Sequence, residues 1–190
     1  SQNLVPNEEY PAYASGHTLL DFSRGTFSDG SGPLMPTQSN AEASWLISPQ
    51  TGVDSVKNIL LGFYNFQLGA GDTLFVYDGE NAQAPLLHCF TGDNVLSGIS
   101  STGNKIFVAF KTNSEDNGKG WLAFYESLAP DYCIGGQHHI SSESGTVNDG
   151  SGTKFNYQNN FECEWIIEPM WGTGITLGFN FFDTEPGKDV

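Results

Sequence analysis

A passage of this chain occurs twice, and the interval between its copies constrains the fold more than any other feature. Residues 25–50 read GTFSDGSGPLMPTQSNAEASWLISPQ, and residues 145–170 read GTVNDGSGTKFNYQNNFECEWIIEPM. Gly25, Asp29, Gly30, Ser31, Gly32, Asn40, Glu42, Trp45, Ile47 and Pro49 each recur 120 positions later without a gap. Solenoid repeats are several times shorter, so this period marks two copies of a domain-sized unit in tandem. The expected organisation is an N-terminal extension (1–12), a first unit (13–127), a linker holding Pro130 (128–132) and the first half of a second unit (133–190). The first unit is long enough to bury a core of its own. A half-unit would leave a strand edge and an apolar sheet face bare. The chain is therefore expected to be a piece of a longer protein.

Charge narrows the partners. Seven Lys and Arg stand against 22 Asp and Glu, a formal net charge of −15. So acidic a surface repels phosphate backbones and anionic lipid heads, which argues against nucleic acid and against polybasic membrane docking. It suits a secreted module and it suits calcium, although acidity for solubility alone explains it as well. No stretch approaches the length of a membrane span, so no membrane insertion is expected. The polar start SQNLVPNEEY is similar to the mature start of bacterial exported proteins, and the chain holds no Asn-x-Ser/Thr sequon. The expected location is secreted or cell-surface, on a bacterial export route, with the signal peptide already removed.

Short apolar alternations separated by Gly, Asn and Asp predict an all-β chain. The expected strands of the first unit are 43–48, 58–66, 73–77, 85–90, 105–111 and 120–126, with Leu74 and Val76 on one face and Phe75 and Tyr77 on the other. Such a series forms a sandwich or jelly roll. Asp29-Gly30-Ser31-Gly32 and Asp149-Gly150-Ser151-Gly152 read as hairpin-type turns. They are not EF-hand loops, because the later ligands and the closing Glu are missing.

The ordered motifs GTFSDGSG, N-x-E-x-x-W-x-I-x-P, ILLGFYNF, GDTLFVYDGE, PLLHCFTG, ISSTGNKIFVAF and GKGWLAFY resemble those of a CUB domain. The resemblance covers nearly all of the first copy and the second from Cys133 onward. It implies an antiparallel two-sheet jelly-roll sandwich, extracellular and used for binding. It also implies a disulfide from the unit's start to the position two before the Trp, which in the second copy is Cys133 to Cys163. Subtracting 120 gives Tyr13 and Ala43, so both partners are absent together from the first copy. A Cys133–Cys163 bond places the chain in an oxidising compartment. Cys89 lies outside the family's bridge positions and is expected free and facing the core as a small apolar group.

The resemblance further implies a calcium site built from a Glu after an FDxE strand, an Asp opening the next strand and a later loop Asp. In the second copy Phe182-Asp183-Thr184-Glu185 and Asp189 supply the first two, Glu185 and Asp189, and the third falls after Val190. In the first copy the Glu position reads Gly69, Asp72 matches the second ligand and Asn113 stands for the loop Asp, with Glu115 and Asp116 nearby. Without metal, Asp72 and Asp78 start and stop a strand. Glu42 and Glu162 are expected to make a structural hydrogen bond within the unit.

Catalytic patterns are missing: no GxSxG, HExxH, GxxxxGK[ST] or CxxC occurs. His138-His139 reads as an exposed loop pair, and adjacent residues on a strand would in any case face opposite ways. His17 and His88 show no partner. Trp45 and Trp165, repeated at the fixed offset, read as core residues. Trp121 is less constrained, and Trp171, on the Gly-flanked Met170-Trp171-Gly172, is the candidate for ligand contact. The expectation is a non-catalytic adhesion or recognition module for a protein or glycan partner, calcium-assisted, acting through residues 66–73, 112–119 and 183–189. The alternative is an accessory domain of a secreted protease or glycoside hydrolase.

Overall fold

A computed structural model of the chain describes residues 11–50, 55–94, 98–115, 118–133, 135–151, 155–185 and 187–188. The chain divides into two compact units, Ser1–Ala129 and Pro130–Val190. The described residues of both are strands and loops, with no helix.

The first unit carries β1 (Gly16–Leu20), β2 (Arg24–Ser28), β3 (Glu42–Ile47), β4 (Asn58–Gln67), β5 (Thr73–Tyr77), β6 (Leu86–Phe90), β7 (Ile99–Ser100), β8 (Ile106–Lys111) and β9 (Gly120–Leu128). They form a five-stranded sheet, ordered β1-β3-β8-β5-β6, and a four-stranded sheet, ordered β2-β9-β4-β7. All pairings are antiparallel except β1 with β3, which is parallel. The six expected strands are present. The edge strand β1, short β2 and two-residue β7 are additional.

Period-two alternation sets the sandwich. Ala43, Trp45 and Ile47 of β3, Leu74 and Val76 of β5, and Ile106, Val108 and Phe110 of β8 all turn inward. On β4 the alternation slips: a bulge between Phe63 and Asn65 turns Tyr64 outward and brings Phe66 back toward the core. Trp121 joins the layers. Its ring centroid lies 5.1 Å from Trp45 and 5.6 Å from Phe110 on the opposite sheet, and 5.4 Å from Phe27 on its own. The edge-to-face angles of these contacts are those that aromatic quadrupoles favour.

The Asp29-Gly30-Ser31-Gly32 segment is not a hairpin. It follows β2 in one sheet and precedes β3 in the other, so it is a crossover. Gly30 and Gly32 do take positive φ. Asp29 is buried, and its Oδ1 accepts from the Ser31 hydroxyl (3.0 Å) and the Trp121 N–H (3.2 Å). Gly120 has φ +84°, and a Cβ there would lie 2.2 Å from Ser31 Oγ and 2.6 Å from Asp29 Oδ1. Only glycine lets β9 start against this pair.

In the second unit β10 (Gly136–Ile140) runs parallel to β11 (Cys163–Ile167). Its register, Gly136 to Cys163 and onward, is that of β1 on β3, Gly16 to Ala43, moved by 120 positions. Asn40 and Asn160 share the left-handed conformation, at φ 52° and 54°. The Ser31–Asp29 bond recurs as Ser151 to Asp149 (2.7 Å). His138-His139 therefore lies within a strand, not a loop, because β11 supplies hydrogen-bond partners. Glu42 is exposed, and among the described residues its side chain makes none of the expected structural hydrogen bonds.

Burial raises the Asp29 carboxyl above the ordinary carboxylate range, against the lowering pull of the Trp121 and Ser31 hydrogen bonds. A raised native pKa gives stability that is fully present below the unfolded pKa and lost as pH rises through the native one. Asp29→Asn keeps an acceptor oxygen and removes the charge. Relative to wild type, the variant is expected to gain stability as urea unfolding is measured from about pH 3 toward neutral pH, levelling off once pH passes the raised native pKa. A difference that stays flat or falls over that interval contradicts the assignment.

Candidate functional site

Three loops of the first unit meet at one end of the sandwich: 37–41, 68–72 and 112–115. Hydrogen bonds knit them. Thr112 N–H donates to the Ala41 carbonyl (3.0 Å), the Ala41 N–H to Thr112 Oγ1 (2.7 Å), and the Thr112 hydroxyl to the Gln38 carbonyl (2.6 Å). Asn40 N–H donates to the Asn113 carbonyl (2.8 Å). Asp72, directly before β5, is fully buried, and its Oδ1 accepts from the Asn113 N–H (2.9 Å). The Asn113 side chain donates through Nδ2 to the Ala70 carbonyl (2.7 Å) and accepts through Oδ1 from the Glu115 N–H (2.7 Å). Asp72 Oδ2 is buried and has no hydrogen-bond partner among the described residues.

The structure thus brings Asp72 and Asn113 together, as the sequence places them. Among the described residues the side-chain donors fall short of a calcium site: Gly69 offers no side chain, the Asn113 oxygen already accepts from the Glu115 N–H, and Glu115 itself is exposed. Asp72 is the one buried carboxylate among the described residues of these three loops, against the roughly six to eight oxygens that calcium takes. Asp116 lies outside the described residues. Asp78, after β5, instead accepts from the Thr102 N–H (2.9 Å) and hydroxyl (2.7 Å) and pins the loop before β8.

In the second unit Glu185 is exposed. Its Oε1 holds Lys188 Nζ at 2.7 Å, and its N–H donates to the Tyr157 hydroxyl (3.0 Å). Asp189 lies outside the described residues. Trp171 is 72% exposed and its neighbour Met170 77% exposed, whereas Trp45 and Trp121 are buried and Trp165 is half-buried against His138.

Cys133 and Cys163 are bonded. His138 Nε2 lies 3.3 Å from Cys133 Sγ, and the three groups cluster like a metal site. Both sulfurs are committed to each other, so no thiolate is available as a ligand. The hydrogen bonds also correct the counterpart of Cys133. Cys133 N–H donates to the Asp149 carbonyl (2.8 Å) as Ala14 N–H does to that of Asp29 (2.9 Å). Tyr132 OH donates to the Asn156 carbonyl as Tyr13 OH does to that of Pro36. The first-unit equivalents of the bridge are Ala14 and Ala43, not Tyr13 and Ala43. One residue more between Tyr132 and Gly136 than between Tyr13 and Gly16 explains the slip.

Cys89 is exposed, not turned to the core. It pairs with Phe75 on β5, and Phe75 sits on the outward set, while its neighbour Phe90 takes the inward position. The two isolated histidines do have neighbours. His17 Nδ1 lies 3.1 Å from Ser44 Oγ and its ring stacks on Phe107, and His88 packs edge-on against Phe90.

The family model described as CUB domain matches residues 16–125. This chain belongs to the CUB domain family. Modules of this family are non-catalytic, extracellular protein-binding parts of larger proteins. Human cubilin is 34% identical over 115 residues, covering 60% of this chain and 3% of that protein. Bone morphogenetic protein 1 homolog of Strongylocentrotus purpuratus is 30% identical over 189 residues, covering 96% of this chain and 27% of that protein. The chain therefore spans a small part of the curated relatives it matches. The solved CUB1-EGF-CUB2 domain of human MASP-1/3 aligns with a TM-score of 0.50 at 17% identity, over 61% of this chain and 43% of that one. At that identity the likeness shows the fold alone. Among the described residues no helix is long and apolar enough to cross a membrane.

Native protein treated with a thiol reagent is expected to titrate one thiol per chain, at Cys89. Unfolding it without reductant should reveal no more. Two further thiols on unfolding contradict the Cys133–Cys163 bond.

Proposed function

We propose that the chain is a tandem of CUB units that recognises an extracellular protein partner, with the second unit's exposed aromatic loop as the principal contact. The tandem reading is supported by the repeated β1–β3 and β10–β11 register and by an alignment to the Strongylocentrotus purpuratus relative that runs through both units. Residues 133–190 are read as the first half of the second unit. Its series Ile175, Leu177, Phe179, Phe181 and Phe182 is apolar and exposed, as strand faces are before a second sheet covers them.

The observation that carries recognition is Trp171. Tryptophan exposed beside Met170 on a loop is the composition of a protein-interface anchor, since both side chains bury large area against a partner. The rest of the surface, at net −15, favours a neutral or basic partner over an acidic one. Calcium belongs in this reading at the second unit alone, through Glu185 and Asp189. A cation at Glu185 would take the place of the Lys188 ammonium. When bound it would supply fixed positive charge that orders the 183–189 loop.

The test probes the immobilised chain with a displayed library of extracellular protein domains and, separately, with a glycan array. Binders are expected from the protein library, and Trp171→Ala should weaken them by roughly tenfold or more, as loss of a buried anchor does. Binding confined to the glycan array, or protein binding indifferent to Trp171→Ala, overturns the reading.

A further inference from the structure

We propose that the Asn113 amide does in the first unit what a cation is expected to do, so that this loop end is ordered without metal. The two calcium ligands expected here are Asp72 and Asn113, and the structure gives both other work.

The orientation of the Asn113 amide is decided by two contacts at once. Its oxygen accepts from the Glu115 N–H at 2.7 Å, and its nitrogen donates to the Ala70 carbonyl at 2.7 Å. Turned over, the amide would set a donor against a donor and an oxygen against an oxygen, losing both bonds. The oxygen therefore already holds the Glu115 N–H, and the Ala70 carbonyl already has its proton donor. Asp72 Oδ1 is taken by the Asn113 N–H. One residue thus ties the 69–72 loop twice, through backbone and side chain, and its own loop once.

Gly71 shows how closely the amide is seated. It has φ +83°, and a Cβ there would stand 2.5 Å from Asn113 Nδ2. The amide fills the space beside Gly71 and bridges the two loops.

Asp72 Oδ2 is the opposing observation. A buried carboxylate oxygen without a partner, taken alone, points to a cation or an ordered water. A calcium ion there would need about five more oxygens, and those of the Ala70 carbonyl and the Asn113 side chain already accept hydrogen bonds. A water needs only two to four polar partners, a smaller demand than calcium's, and fits this oxygen better.

The test is residue-resolved amide hydrogen exchange on the whole chain, so calcium at the second unit does not enter the readout. In wild type, exchange at Asp72, Asn113 and Glu115 is expected to be the same in a chelator and in millimolar calcium. In Asn113→Ala, exchange at Asp72 and Glu115 should quicken by about tenfold or more, since hydrogen bonds to Ala70 and Glu115 are lost. Calcium that slows wild-type exchange at these amides overturns the proposal. So does an Asn113→Ala chain whose exchange matches wild type.

Discussion

The first unit depends on the packing of Trp121 between its sheets. It has no disulfide of its own, and Ala14 and Ala43 stand at the places that correspond to Cys133 and Cys163. Trp121 meets Trp45 and Phe110 across the sandwich and Phe27 and Phe63 on its own side, so one ring touches both layers. Burying an aromatic side chain of this size removes about 150–250 Å² from water and dominates a small core. Everything at the start of β9 serves that placement. Gly120 brings the strand against Ser31, and Asp29 takes the Trp121 N–H, at the expense of burying a carboxylate whose proton is held more tightly than usual.

The second unit is built differently from the same pattern. The β10–β11 pair repeats the parallel register, yet Trp165 is half-buried and the bridge Cys133–Cys163 closes a separation of 30 residues. In the chain-entropy model a loop of that length is worth roughly 3–4 kcal/mol. Covalent closure here stands where aromatic packing stands in the first unit. The first unit's loop end is knitted by Asn113, while Met170 and Trp171 of the second unit are exposed.

Much of this was legible because period-two alternation and an exact repeat are strong signals. The six expected strands of the first unit and the buried Trp45 follow from them, while the Cys133–Cys163 pair follows from the resemblance to a CUB domain. What escaped has physical causes. β1 is an edge strand with four of its five residues exposed, so it carries no alternation to read. β7 is two residues long, and its pairing with Leu60 and Leu61 exists only in three dimensions. Cys89 was placed inward on its apolar character, but strand phase decides orientation, and Phe90 had already taken the inward position. A fixed offset of 120 put Tyr13 opposite Cys133, and only the Tyr132–Asn156 and Tyr13–Pro36 bonds reveal the one-residue slip. At the loop end the residues were found, but an amide's orientation depends on its neighbours and is not written in its identity.

The two units are held by different means, aromatic packing in the first and a disulfide in the second. Amide exchange of the whole chain with and without reductant separates the two. Trp45, Leu74, Val108 and Trp121 should keep their protection after reduction, while β10 and β11 lose theirs. Loss of protection at the Trp121 core on reduction would contradict the account.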